Sequence, residues 1–379
     1  MSGYRVVHVT SVHVWSDTRI FHRMCRGLSR RNWEVSLVAP NVPAQTVDGV
    51  RVVGVRVPTS RILRALVGGY RVIVAACAID ADLYHIHDPE LLLWKWIFTV
   101  RKRPVVYDMH EYVPGAISTR RWVAPRLRKV LAVTWAVFER MALRRSLVIL
   151  AEASYSKHYT WLRNAVTILN MPDTETLLDI SEAEKIDSVI YVGRVSAARG
   201  SCQMLEAMDE LRRRGVAVSL DIVGPIAERH KQELTEMLHR RGLECVTLHG
   251  YMKPLQAWQL AKRSVAGLAV LSPEPNYIES FPTKMFEYMA LGLPVVVSNF
   301  PLYRAVVDSS ECGICVDPRD ASALADAIER LMKDRPYARR LGANGRSAIQ
   351  ARYRWDRELD ALEGFYMTIV SRSRTGAST

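Results

Sequence analysis

The sequence predicts an α/β protein made of two consecutive doubly wound domains facing each other across a cleft. Three observations carry this reading. Short apolar segments alternate with stretches of helical periodicity, the pattern of a parallel sheet covered on both faces. The alternation runs twice, with a polar interruption near residue 170. The length of 379 residues holds about two to three domains, and a hydrophobic fraction of 49% can fill their cores.

In the first half, strands are expected at Arg5 to Thr10, Glu34 to Ala39, Val50 to Val57, Leu83 to His87 and Val105 to Tyr107. Ile20 to Arg30 has the 3.6-residue spacing of a helix. In the second half, strands are expected at Ser188 to Val192, Val218 to Val223, Val246 to Leu248, Gly267 to Leu271, Val295 to Ser298 and Gly313 to Val316. Helices are expected at Gly200 to Arg213 and Ala321 to Lys333. The boundary falls at Leu169-Asn170-Met171-Pro172-Asp173, where turn formers follow an apolar strand, and the chain to Asp187 reads as linker. This gives domains 1–170 and 171–354, with a closing helix in 355–379 that crosses back to the first domain. No repeat of 20–50 residues is visible beyond the likeness of the halves, and the tail Ser371 to Thr379 is small, polar and basic, as disordered ends are.

Composition narrows the function. The chain starts directly on a strand, without a basic-then-apolar leader. Its longest apolar runs, Val72 to Ile79 and Val130 to Phe138, fall short of the roughly 20 residues of a spanning helix. Six cysteines are scattered, and the single CxxC, Cys312 and Cys315, sits in a strand end without a second ligand pair. A reduced, cytoplasmic protein is expected. The net charge of +13 is unevenly placed: residues 1–170 hold 25 Lys+Arg against 11 Asp+Glu, and residues 171–379 hold 27 against 28. No nucleic-acid recognition motif accompanies the basic half, so no nucleic-acid partner is expected.

The chemistry concentrates in Glu279-Ser280-Phe281-Pro282-Thr283-Lys284-Met-Phe-Glu287, followed by Tyr-Met-Ala-Leu-Gly292-Leu-Pro294. Pro282 suits the first turn of a helix that Gly292 ends. The open N-terminus of that helix offers unpaired N–H groups to a pyrophosphate. Glu287 would accept hydrogen bonds from ribose hydroxyls and Glu279 from those of a sugar. Alone, the two glutamates are equally compatible with a loop and a solvated helix face. Gly193-Arg194 and Arg199-Gly200 form a second, basic strand-end loop, which alone reads equally as solvent-facing. His85, His87 and Asp88 make an H-x-H-D run; His85 and His87 share one side of a strand. It reads as a metal half-site or as plain structure.

Together these motifs resemble retaining GT-B glycosyltransferases, specifically glycosyltransferase family 4. Glu279 and Glu287 match the family's E-x7-E signature, and the Gly-Leu-Pro-Val-Val that follows also matches. Tyr191 to Gly200 resembles the family's G-R-x-x-x-x-K-G, with Arg199 in place of lysine. His249-Gly250-Tyr251 resembles the segment beside the nucleotide base, and Gly224-Pro225 the strand-end glycine of the C-terminal half. Asp108-Met-His110-Glu111 resembles the D-x-H-D/E element whose histidine faces the sugar. For the H-x-H-D run the resemblance implies a third reading, a strand end lining the cleft. Trp15-Ser-Asp17-Thr-Arg19-Ile-Phe resembles the first loop and helix of polysaccharide-assembling members. The loop Ser11 to Asp17 departs from the family in lacking glycine.

The resemblance implies two Rossmann-like domains and a nucleoside diphosphate sugar as donor, transferred with retention and without a cofactor or catalytic metal. It implies His110, Glu279, Arg194 and Arg199 as catalytic. It implies Glu287, Gly193, Tyr251, Gly250, Ser280, Phe281, Pro282, Thr283, Lys284, Asp17, Asp108 and Glu111 as substrate-binding.

The stretch Arg120 to Arg145 carries eight basic residues and one acidic, Glu139. Val123, Leu127, Val130, Leu131, Val137, Phe138 and Met141 recur at helical spacing, with Trp122 and Trp135 interleaved. Arg61 to Arg71 has similar character. Such a helix either buries its apolar stripe in the core or lies on an anionic membrane surface. In the second case the protein sits on the inner face of the membrane and its acceptor is a lipid-linked glycan or glycolipid. Two rivals remain: a nucleotide-sugar epimerase, which needs no acceptor, and a non-catalytic nucleotide-sugar-binding partner of a membrane complex.

Overall fold

The computed structural model describes residues 3–119, 124–173, 177–178, 180 and 183–375. The chain divides into two compact units, one of residues up to Asn170 together with those from Asp356 onward, the other Met171–Trp355.

Among the described residues, the first unit has eight strands: β1 Arg5–Val9, β2 Glu34–Pro40, β3 Gln45–Val47, β4 Val50–Val55, β5 Leu83–Ile86, β6 Val105–Met109, β7 Leu147–Leu150 and β8 Ala165–Thr167. They lie in the order β3-β4-β2-β1-β5-β6-β7-β8. All neighbours are parallel except β3 and β4. The central strands are apolar on both faces because helices cover both; every residue of β5 and β6 is buried. Val7, Val9, Val38, Ile86, Tyr107 and Val148 form part of one core. The order reverses between β1 and β5, and at such a switch the C-terminal strand ends leave room for a site.

The helix expected from Ile20 begins at Thr18, capped by Asp17, and its first eight residues have the wider π-type turn before Arg26–Arg30. The expected strand Val105 to Tyr107 runs on to Met109, because β7 pairs with it through Asp108 and Met109. The antiparallel β3–β4 hairpin was not expected. Its signal is Asp48-Gly49, both at positive φ (51° and 77°), as a two-residue hairpin turn requires. The closing helix spans Trp355–Thr375. Tyr366 is buried in the first unit, 5.6 Å from the Trp33 ring, and Glu363 accepts from the Trp33 indole at 2.9 Å.

The second unit has six described strands: β9 Ser188–Val192, β10 Ser219–Val223, β11 Val246–Gly250, β12 Ala266–Ala269, β13 Val295–Ser298 and β14 Gly313–Val316. Their order is β11-β10-β9-β12-β13-β14, parallel throughout. The switch here lies between β9 and β12. Val189, Tyr191, Leu220, Ile222, Leu268 and Val296 belong to its core. β12 comes close to the Thr283–Ala290 helix because Gly267 has no side chain; a Cβ there would stand 2.3 Å from the Tyr288 ring. Apart from the antiparallel β3–β4 hairpin, both α/β units are thus parallel sheets wound in two directions from a central strand, as the alternation predicts.

Candidate functional site

Each unit gathers its candidate residues at the C-terminal ends of the strands flanking its switch. In the second unit β9 ends at Val192, whose N–H donates to the Tyr288 hydroxyl at 2.8 Å. Gly193 follows at φ +133°, and its N–H reaches the Val223 carbonyl at 2.8 Å. Gly224, at φ +141°, lies against it so closely that a Cβ would stand 1.9 Å from the Gly193 oxygen. Arg194 is exposed beyond this turn. Arg199 is half-buried and lies over the Tyr277 ring at 5.6 Å.

The Thr283–Ala290 helix begins one residue later than expected. Pro282 is its cap residue (φ −75°, ψ 110°) and not its first turn, so the first-turn N–H groups keep their opening. Gly292 ends it at φ +70°. Lys284 is buried. It is 6% exposed, and its ammonium sits 3.5 Å above the Tyr191 ring without a hydrogen-bond partner among the described residues. Gly193 leaves room for it: a Cβ there would be 3.0 Å from Nζ. Burial holds the Lys284 ammonium well below the usual lysine range; Arg199 pushes the same way and Glu287 opposes. Burial also pushes the Tyr191 phenol up to about 12, against the pull of Arg199.

Glu279 closes the Pro275–Ile278 turn and Glu287 lies one helical turn past Thr283, both half-buried. The Ser280 hydroxyl turns back to the Asn276 carbonyl. Phe281 packs edge-on against Phe286 at 5.3 Å. Gly250 ends β11 at φ +69°, and Tyr251 after it is 73% exposed. Cys312 and Cys315 are free thiols whose pKa burial raises to about 12 and 11, which makes them poor metal ligands.

In the first unit, β1, β5 and β6 bring together residues far apart in sequence. Asp108 at the end of β6 is fully buried. Arg19 grips it with both arms of the guanidinium, Nε to Oδ2 at 2.9 Å and Nη2 to Oδ1 at 2.8 Å. His110 Nε2 lies 2.8 Å and His87 Nδ1 3.2 Å from Oδ2. These contacts correct the expectation that Asp108 binds substrate: the carboxylate is enclosed, and both its oxygens are held by protein groups. Asp17 is likewise engaged, since Oδ1 accepts from the Arg19 and Ile20 N–H groups at 2.8 and 2.9 Å and Oδ2 faces His13 at 3.4 Å. His110 is 19% exposed, and Glu111 beside it is half-buried.

The H-x-H-D run is part of this buried cluster. His85 and His87 rings lie 4.3 Å apart, and His8 joins them from β1, with Nδ1 2.9 Å from His87 Nε2. Their ligand nitrogens lie within 4.8 Å of one another, but both nitrogens of His87 are already hydrogen-bonded. Burial drives the His87 imidazole down to about 3 and His8 and His85 well below the usual histidine range. All three are neutral near pH 7. Asp88, also buried, pins the glycine-free loop by accepting from the Thr10 hydroxyl at 2.8 Å and the Ser11 N–H. Sequence reading missed His8 and Arg19 here, and Tyr191, Tyr277 and Tyr288 in the second unit. The period-2 pattern of Val7-His8-Val9 flags a polar residue inside a buried strand. Nothing local announces the Arg19–Asp108 pair.

The basic segment is a helix, Pro125–Leu143. Most of its stripe does not enter the core: Leu127, Val130, Leu131, Val137 and Met141 are exposed, as is Val133 beside them, while Phe138 is half-buried against the first unit's core. Glu139, its one acid, is buried and accepts from the Tyr159 hydroxyl at 2.7 Å. Arg120, Arg121, Trp122 and Val123 lie outside the described residues. No described helix is long and apolar enough to cross a membrane.

Residues 174–348 match the family model described as "Glycosyl transferases group 1", and residues 18–154 the "Glycosyl transferase 4-like domain". The chain is 30% identical over 182 residues to the alpha-D-kanosaminyltransferase of Streptomyces kanamyceticus, covering 48% of this chain and 45% of that protein. It therefore spans under half the length of that relative. It is 26% identical over 318 residues to the phosphatidyl-myo-inositol mannosyltransferase of Mycobacterium leprae (strain TN), covering 82% and 77%. The fold is similar to that of sucrose-phosphate synthase from Thermosynechococcus elongatus, with a TM-score of 0.76 at 18% identity over 97% of this chain and 100% of that one.

Proposed function

The chain belongs to the GT-B glycosyltransferases of the family 4 type, and from that premise we propose that it transfers a sugar, with retention, from a nucleoside diphosphate to a lipid-linked glycan or glycolipid. The observation that carries the donor side is Lys284, a buried ammonium at the N-terminus of a helix, without a hydrogen-bond partner among the described residues. A diphosphate supplies the missing acceptor and the opposite charge. Arg194, Arg199 and the first N–H groups after Pro282 complete the cradle, and the two glycines at positive φ, 193 and 224, let a phosphate approach the backbone. In this reading Glu287 takes the ribose hydroxyls, Glu279 holds the sugar, and Gly250 and Tyr251 lie toward the base.

As the bond from the anomeric carbon to the phosphate oxygen breaks, the leaving diphosphate gains charge where these cations already stand. The departing oxygen takes the proton of the acceptor hydroxyl on the same face of the sugar, and the acceptor oxygen bonds to the anomeric carbon. Glu279 positions the sugar and does not attack it, and the cationic side chains stabilise the leaving group without a metal. His110 offers its ring to a sugar hydroxyl.

The exposed stripe of the Pro125–Leu143 helix, flanked by Arg126, Lys129 and Arg140, supports a peripheral position on an anionic membrane, where a lipid-linked acceptor is presented. The similarity to a mannosyltransferase named for phosphatidyl-myo-inositol agrees with a lipid acceptor. Saturation-transfer NMR against a panel of nucleotide sugars, with Glu287→Ala as control, tests the donor. One donor should bind to the wild type, and saturation of its ribose protons should vanish with the variant. A folded sample that binds no nucleoside diphosphate or its sugars sinks the assignment.

A further inference from the structure

We infer that Arg19 and Asp108 are positioning residues that fix neutral His110 as its Nε2–H tautomer, so that in this form its Nδ1 meets the substrate as a hydrogen-bond acceptor from a hydroxyl. The proton positions follow from the contacts. Asp108 is fully buried, and Arg19, paired to it through two hydrogen bonds at 2.8 and 2.9 Å, keeps it ionised. An ionised carboxylate only accepts. Each imidazole nitrogen touching Oδ2 must therefore carry a proton: His110 Nε2 at 2.8 Å and His87 Nδ1 at 3.2 Å. The 3.3 Å between these two nitrogens is then the approach of two donors to one acceptor and not a hydrogen bond.

The same logic runs inward. With Nδ1 protonated, neutral His87 presents a lone pair at Nε2, and His8 donates to it from Nδ1 at 2.9 Å. That leaves His8 Nε2 as a bare lone pair, in keeping with its being buried without a partner. One buried ion pair thus sets the orientation of three rings.

His110 is the member of this chain of rings that reaches the surface, and its Nδ1 has no hydrogen-bond partner among the described residues. Its backbone is held as well, by the Tyr155 hydroxyl donating to its carbonyl at 3.2 Å. In its neutral form an imidazole with Nε2–H tied back offers one function outward, a lone pair. It selects a hydroxyl over a carbonyl or phosphate oxygen, which have no proton to give. Arg19 also donates from Nη2 to the Ile168 carbonyl at 2.9 Å, just past the end of β8, so the guanidinium is fixed from two sides. The transferase reading enters only in naming the hydroxyl as a sugar's.

Long-range 1H–15N correlation spectra of 15N-histidine-labelled protein at neutral pH read the tautomer directly, without substrate. The His110 signals should show a protonated Nε2 and an unprotonated Nδ1. Single removal of Arg19 strands a buried carboxylate and endangers folding, so the variant is the charge-neutral pair Arg19→Met with Asp108→Asn. In it both His110 tautomers should appear. With whichever nucleotide sugar the binding panel selects, kcat should fall about tenfold to a hundredfold through lost orientation, with KM for the donor nearly unchanged. Arg19→Lys keeps the charge and should retain the tautomer. A wild-type His110 protonated at Nδ1, or a folded double variant that keeps the Nε2–H tautomer, overturns the inference. If the double variant does not fold, the wild-type tautomer decides alone. Failure of donor binding with the tautomer as stated would count against the transferase reading and not against this one.

Discussion

Replacing Lys284 by methionine should make the second unit more stable and the protein worse at holding a diphosphate. The ammonium is 6% exposed, has no hydrogen-bond partner among the described residues, and lies over the face of the Tyr191 ring at 3.5 Å. Leaving such a polar group unsatisfied costs about 1–3 kcal/mol, and the ring returns about 0.5–2 kcal/mol. Methionine fills nearly the same volume without the penalty. A net gain of about 1 kcal/mol moves the melting temperature of a unit this size up by about 2–4 °C. Losing one charge-assisted contact to a phosphate costs about 1.5–3 kcal/mol, or roughly a tenfold to hundredfold weaker Kd. The stability gain also has a pH signature. The folded-state pKa lies below the unfolded value of about 10.4, so between the two values the unfolded chain binds the extra proton. The wild type should close the gap to Lys284→Met as pH rises toward that value. Calorimetry at several pH values and titration with UDP and GDP read both effects. A lower melting temperature in the variant, or unchanged affinity for a diphosphate the wild type binds, refutes the reasoning.

Four further outcomes rest on the same geometry. Gly224→Ala puts a Cβ 1.9 Å from the Gly193 oxygen at φ +141° and should cost about 2–4 kcal/mol in urea unfolding, whereas Gly215→Ala, with open space at φ +72°, should cost about 1 kcal/mol. Burial raises the Glu139 carboxyl, against the pull of the Tyr159 hydrogen bond. Its raised folded pKa adds stability at acidic pH that is lost as pH climbs through that value, so Glu139→Gln should flatten the first unit's stability profile over that window. Asp17→Ala removes the cap of the Thr18–Cys25 turn and should cost about 1 kcal/mol in the same unfolding assay. Val130→Glu with Val137→Glu, both at exposed positions, should leave the fold intact and abolish co-sedimentation with vesicles rich in anionic lipid. Equal sedimentation of variant and wild type argues against the membrane face.

Features that depend on near neighbours were readable from the residues alone. Apolar segments alternating with helical periodicity specify two parallel-sheet units, because strand and helix periods are local. The Asn170-Met171-Pro172 segment lies at the division, and Pro282 and Gly292 bracket a helix to within one residue, since caps and breakers act over a few positions. The glycines of the second unit were legible because their spacing from strand ends is set by backbone conformation. Tertiary structure decided what side chains do once distant strands are adjacent. Asp108 looked like a ligand of the substrate and is Arg19's buried partner, 89 residues away. His8 joins His87 across 79 residues, a pairing that only the β1–β5 register supplies. That Lys284 is buried, beneath Gly193 and over the Tyr191 ring, is likewise set by packing. The stripe of the Pro125–Leu143 helix has the spacing of a core face, yet most of it stays exposed while Phe138 packs on the core, because periodicity shows that a helix is two-sided and only packing shows which side is covered.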